Sequence, residues 1–165
     1  MNMTVCFTGH RPQSLPFGFD ESHPDCLAIK AKLKDEIKRQ IKNGADSFLS
    51  GMALGVDMWA AEAVLELKAK KYPFLSLTAV IPCPNQALKW NKDCKRRYDE
   101  ILNACDEKIV TSPVYFAGCM HVRNKYMVDR SDVLIAVYNQ SEKGGTASTV
   151  RYAKKKCKEI VEILI

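Results

Sequence analysis

The chain has 165 residues, 47% of them hydrophobic and 27% charged, with a formal net charge of +6 at pH 7; this is the profile of one globular domain with a core of ordinary size. No apolar run approaches the roughly 18 residues that span a bilayer, and the opening MNMTVCFTG has neither a basic n-region nor a cleavage site, so neither a membrane anchor nor a signal peptide is expected. Seven cysteines without a CxxC pair argue against a disulfide framework and predict reduced thiols in a cytoplasmic protein.

Met3–Thr8 reads as a buried strand, and a long loop with Pro12, Pro16, Gly18 and Pro24 follows. In the next segment, Ile29, Leu33, Ile37 and Ile41 recur every four residues among lysines, which predicts a helix over 25–43 with a basic, solvated face and Gly44 as its stop. Residues 47–50 form a short strand, and Val56, Trp59, Ala60, Ala63, Val64 and Leu67 recur at helical spacing. The run LSLTAVI (75–81) is a third strand closed by Pro82 and Pro84. A helix is predicted over 86–105, with Leu88, Tyr98, Ile101 and Leu102 on its buried side, then a strand at 108–111 and a short helix at 120–130. DVLIAVY (132–138) is the clearest strand. A Gly-Gly turn, a helix at 147–156 and a last strand at 159–165 complete the chain.

Six short apolar strands alternating with five helices imply right-handed crossovers. The expected fold is α/β: a single doubly wound, Rossmann-like domain with a mostly parallel sheet of about six strands and helices on both faces. In such a sheet ligands bind beyond the carboxyl ends of the strands, so the segments after each strand carry the chemistry. Gly9-His10-Arg11 follows the first. Ser50-Gly51-Met52-Ala53-Leu54-Gly55-Val56-Asp57 follows the second, and Lys143-Gly144-Gly145-Thr146 comes after the fifth.

Gly51 and Gly55 permit close backbone approach, and the helix beginning near Gly55 offers free N–H groups with Ser50 as an added donor. A tight bend with Asp57 capping the helix is the competing reading. A carboxylate in a first helical turn repels phosphate, so Asp57 is expected to meet ribose hydroxyls or to cap. Lys143-Gly144-Gly145-Thr146 makes a second anion-friendly turn, against which stands a plain loop capped by Thr146. Arg11 suits bidentate contact with phosphate, and His10 a polar or stacking role. Arg123 and Asn124, near a helix start, either reach the site or pair at the surface. Cys119-x-His121 lacks a second pair of ligands, so no metal site is expected. The positive charge reads as solvated helix faces, because aromatic residues are not interleaved with the lysines as in a single-strand groove.

FTGHRP (7–12), LSGMALGVDMWAAEAV (49–64), RNKYMVDRSDVLIAVY (123–138) and GGT (144–146) together resemble the YpsA-like branch of the SLOG superfamily, which also includes the Rossmann-like domains of the DNA-processing protein DprA and the LOG-type phosphoribohydrolases. The resemblance covers about 5–153 and implies a Rossmann-like domain whose glycine-rich edge binds a nucleotide or nucleotide-derived ligand. LOG-type enzymes carry PGGxGTxxE, with a glutamate important for cleaving the N-glycosidic bond; here no proline precedes Gly144 and Ala147 to Arg151 supply no acid.

Three functions follow in order: binding or sensing of a nucleotide-derived ligand, hydrolysis or transfer at a nucleoside N-glycosidic bond, and DprA-like binding of single-stranded nucleic acid. The first requires no cofactor. Apolar helical faces are compatible with a homodimer.

Overall fold

The computed structural model describes residues 2–165. Its elements in chain order are β1 (Met3–Gly9), α1 (Pro24–Lys42), β2 (Ala45–Ser50), α2 (Val56–Lys70), β3 (Ser76–Ile81), α3 (Lys92–Ala104), β4 (Glu107–Val110), α4 (Cys119–Asp129), β5 (Val133–Tyr138), α5 (Gly145–Lys155) and β6 (Glu159–Leu164), with one 3-10 turn at Pro12–Ser14. The strand order is β4-β3-β2-β1-β5-β6 and every pair is parallel. The expected α/β fold is the observed one.

The chain builds outward from β1 to β4, then returns through α4 to place β5 against the other side of β1. The direction of winding therefore reverses between β1 and β5, and their carboxyl ends diverge into a crevice. Side-chain alternation divides the core in two. Val5 and Phe7 face the cluster that includes Leu33 and Ile37 of α1, Ala60 and Val64 of α2 and Ile101 of α3. Cys6 faces the smaller cluster that includes Met127 of α4 and Val150 of α5. All six residues of β5 are buried, as a central strand covered on both faces requires.

One predicted helix is shorter than its periodicity suggested. α3 begins at Lys92, where the Asn91 side chain accepts from Cys94 N at 2.8 Å. The preceding segment turns tightly, with Gln86 N donating to Cys83 O and Leu88 N to Asn85 O. Leu88, expected inside, is 64% exposed. An effective N-cap at Asn91 stops the helix from extending backwards, and Gln86 is thereby left free to bind the β2–α2 turn. No helix among the described residues is long and apolar enough to cross a membrane.

Candidate functional site

The first wall of the crevice is the loop after β1. A Cβ on Gly9 would lie 2.5 Å from Val56 Cβ, so the missing side chain lets α2 start directly against the end of β1. His10 N continues the ladder to Val137 O at 3.3 Å. Its ring Nε2 accepts from the backbone N–H of Asn139 at 3.2 Å. The same Nε2 lies 3.2 Å from Asn139 Oδ1, so Asn139 holds the ring by both its backbone and its side chain. Arg11 is exposed and its guanidinium rests against Met120 Sδ at the start of α4.

The β2–α2 turn is the floor. Ser50 is fully buried; its hydroxyl donates to Asp57 O at 2.8 Å and accepts from Met52 N at 3.2 Å. Met52, also fully buried, holds a left-handed φ of 59°, a conformation that costs a non-glycine residue about 1–3 kcal/mol. Arg123, only 2% exposed, reaches across from α4: its Nη1 donates to Gly51 O and to Val80 O at 3.3 Å, and its Nε to Asn124 Oδ1 at 2.8 Å. Gln86 adds bonds from its amide to Gly51 O at 3.3 Å and Met52 O at 3.4 Å. A cation and an amide from two other elements therefore clamp a strained turn.

Both glycines of this turn are explained by the protein's own packing. A Cβ on Gly51 would stand 2.6 Å from Arg123 Nη1 and 2.9 Å from Asp57 Oδ2. Gly55 has φ 91°, and a Cβ there would lie 2.8 Å from His10 O. Ser50, Gly51 and Gly55 thus support the site from behind and do not line it.

Asp57 does not cap α2. Its Oδ2 accepts from Ala53 N at 3.3 Å, and among the described residues Oδ1 has no hydrogen-bond donor. Burial pushes the Asp57 carboxyl above its ordinary pKa, with Arg123, the Ala53 N–H and Arg11 opposing. Burial likewise pulls the Arg123 guanidinium down, with Asp57 opposing. Each group is the charge that makes the other tolerable below the surface.

The third wall is the turn before α5. Gly144 has φ 98°, and a Cβ on either Gly144 or Gly145 would meet nothing within 4 Å. Here the glycines are open towards solvent, unlike Gly51 and Gly55. Gly144 is the N-cap of α5, no side chain caps the helix, and its first turn holds no acid. Thr146 is buried within the helix, and Lys143 is exposed beside the turn. Free N–H groups at the positive pole of a helix suit an anion.

These walls enclose a cleft of about 600 Å³. Nine of the twelve expected site residues line it: Gly9, His10 and Arg11 from the first loop, Asp57 from α2, Arg123 and Asn124 from α4, and Gly144, Gly145 and Thr146 from the last turn. Gln13, Ser14 and Met120, which lie outside the expected set, line it as well, as does Asn139. Asn139 was the detectable one, since it directly follows β5 at the reversal of winding. Asp57 is the one carboxylate lining the cleft among the described residues. A larger cavity, about 750 Å³, adjoins it across Gln13 and Ser14, between α1 and the end of β6. Its walls are mainly apolar, whereas the charged groups gather in the first. Among the described residues no three His, Cys, Asp or Glu side chains group as metal ligands.

The YpsA family model, described as the YspA SLOG family, matches residues 5–163. The chain belongs to the YpsA branch of the SLOG family. A UPF0398 protein of Brevibacillus brevis is 33% identical over 140 residues, 84% of this chain and 74% of the relative. A UPF0398 protein of Halalkalibacterium halodurans is 29% identical over 154 residues, 92% of this chain and 80% of the relative. Among solved structures, DNA processing protein A from Helicobacter pylori, reported for its single-stranded DNA binding mode, superimposes with a TM-score of 0.63 at 22% identity. That likeness covers 97% of this chain and 64% of the other, and shows a shared fold.

Proposed function

We propose that this SLOG domain binds a nucleotide or nucleotide-derived small molecule in the cleft between the β1 loop, α4 and the Lys143–Thr146 turn. One observation carries the reading: an uncapped helix N-terminus with open glycines lies across one cleft from a buried carboxylate that has an unused oxygen. The α5 N–H groups, Lys143 and Arg11 take the phosphate, and Asp57 accepts from ribose hydroxyls. The cleft volume is in the range of small-molecule sites, about 300–1,000 Å³. Arg123 supports the turn through Nε and Nη1, which are engaged by Asn124, Gly51 and Val80.

Thermal-shift measurements with a panel of ribonucleoside mono- and diphosphates at millimolar concentration test the proposal. A ligand present at 100 times its Kd adds about 2.7 kcal/mol of stability, so a binder raises the melting temperature by several degrees. No shift with any member of the panel contradicts the reading. Cleavage of a glycosidic bond would have to rest on Asp57, the cleft's one carboxylate; release of free base that survives Asp57→Ala excludes that role.

A second reading is suggested by the fold shared with DNA processing protein A: single-stranded nucleic acid crossing the same mouth, with phosphates at the exposed Arg11 and Lys143. Its mark is oligonucleotide affinity that falls steeply with salt and is lost in Arg11→Ala.

A further inference from the structure

The net charge of this protein is confined to one layer. Residues 119–158, which comprise α4, β5, α5 and their connections, hold nine of the 25 Lys and Arg but only three of the 19 Asp and Glu, leaving sixteen of each sign in the rest of the chain. This segment therefore carries a net +6, of which Arg123 and Lys143 belong to the cleft and the remainder to the α4–α5 side of the sheet.

Pairing follows the same division. Every ion pair among the described residues lies outside this layer, as where Arg97 joins Glu21 and Glu62, or Lys34 and Lys70 meet Glu66. Lys125, Arg130, Lys154, Lys155 and Lys156 are exposed with no carboxylate within 4.0 Å. Aromatic rings lie between these cations, contrary to the expectation from sequence spacing. Tyr152 has Lys125 Nζ 5.4 Å and Lys156 Nζ 5.6 Å from its ring centroid, and Arg130 stacks 3.6 Å from that of Tyr126. The Tyr152 hydroxyl donates to Asp129 at 2.7 Å, which engages the acid nearest the cluster.

A face of like charges repels itself, and nothing else in the chain offsets this one. We propose that the α4–α5 face is a docking surface for the phosphodiester backbone of nucleic acid. The cations of α5 fall in its C-terminal end, Arg151 to Lys156, about 8 Å of helix, and Lys125 and Arg130 of α4 widen the cluster so that adjacent phosphates meet separate cations. An anionic membrane is the weaker fit, because Val122 is the sole large exposed apolar side chain on either helix, and interfacial helices need an apolar face to insert. Contact is through backbone phosphates and independent of sequence, since both tyrosine rings are half-buried under their own cations. The surface is separate from the cleft and does not depend on what the cleft holds.

The test is fluorescence anisotropy with labelled 20-nucleotide single strands and duplexes of mixed sequence, across about 50 to 300 mM salt. The expected result is micromolar binding at low salt, with log K falling against log salt at a slope of about −3 to −5. The triple variant Lys154→Glu, Lys155→Glu, Lys156→Glu is expected to bind at least about 30-fold more weakly, with a slope flatter by about 2. A control triple on α1, Lys32→Glu, Lys38→Glu, Lys42→Glu, keeps most of the affinity. All six positions are exposed, so circular dichroism should report an unchanged fold. Absence of binding at 50 mM salt overturns the proposal. So does equal loss in the two triples, loss in Arg11→Ala alone, or binding to phosphatidylserine vesicles without binding to oligonucleotides.

Discussion

Asp57 and Arg123 flank the α-carbon of Gly51, so that a methyl group there would come within 2.9 Å of the carboxylate and 2.6 Å of the guanidinium. A buried carboxylate, a buried guanidinium, a backbone turn and the floor of the cleft are thus a single packed unit. The Gly51 side of that unit has no room for any other residue.

Gly51→Ala should therefore destabilise the protein by about 1–3 kcal/mol through overpacking, a fall in melting temperature of roughly 3–10 °C for a domain of this size. Gly145→Ala, whose Cβ enters open space, should leave the melting temperature nearly unchanged. Differential scanning calorimetry of the two variants side by side checks the contrast.

Arg123→Met removes the cation that serves Gly51 O and Val80 O and leaves Asp57 charged below the surface. The expected loss is about 3–5 kcal/mol. Asp57→Asn leaves Arg123 as the lone buried charge, and the double variant should be less destabilised than the two single losses added together. Chemical denaturation of the four proteins gives this coupling, which should exceed about 1 kcal/mol.

Acidification should weaken the fold through its peripheral carboxylates. Glu66 is held down to about 2 by Lys70 and Lys34. Burial raises Glu21, yet Arg97 and Lys30 bring it below the ordinary range; burial raises Asp106, yet Lys68 and the Leu77 N–H bring it below as well. Depressed carboxylates contribute stability that is complete above about pH 4.3, the ordinary glutamate value, and is lost as pH falls towards their folded values. Asp57 has the opposite sign: its raised pKa favours the fold at low pH, and that contribution fades as pH rises through its folded value. The three depressed groups outnumber it, so the melting temperature should drop between pH 5 and pH 3. Glu66→Gln should make that drop shallower.

Gln86 offers a further check. It ties the strained Met52 turn from the β3–α3 loop without lining the cleft. Gln86→Leu should cost about 1–3 kcal/mol by leaving the Gly51 and Met52 carbonyls with fewer partners. Hydrogen exchange should show the local opening at 51–55 and little change in β5.

The alternation of strands and helices was readable because the central strands β1, β3 and β5 are short, largely apolar and almost wholly buried and because α1 has an apolar stripe. The helix predicted over 86–105 erred because Leu88 fits the stripe, while the decisive signal was the Asn91 cap. The site was partly readable for a different reason. That Gly9, Asp57 and Gly144 follow strands places them on one edge, but no spacing distinguishes a glycine that faces a ligand from one that accommodates a neighbour. Gly51 is filled by Arg123, 72 positions later, and Gly145 is filled by nothing. The lysine–tyrosine face was hidden in the same way, since Lys125 and Tyr152 meet only when α4 and α5 pack together.

The central claim, that the cleft takes a nucleotide with its phosphate at α5 and its ribose at Asp57, is tested most directly by amide NMR during titration with the nucleotide that stabilises the protein best. Shifts concentrated at Gly9, His10, Arg11, Asp57, Asn124 and Gly144 to Thr146 are expected, with those at Asp57 lost in Asp57→Asn. Shifts confined to the cavity between α1 and β6, or absent at saturating ligand, would contradict it.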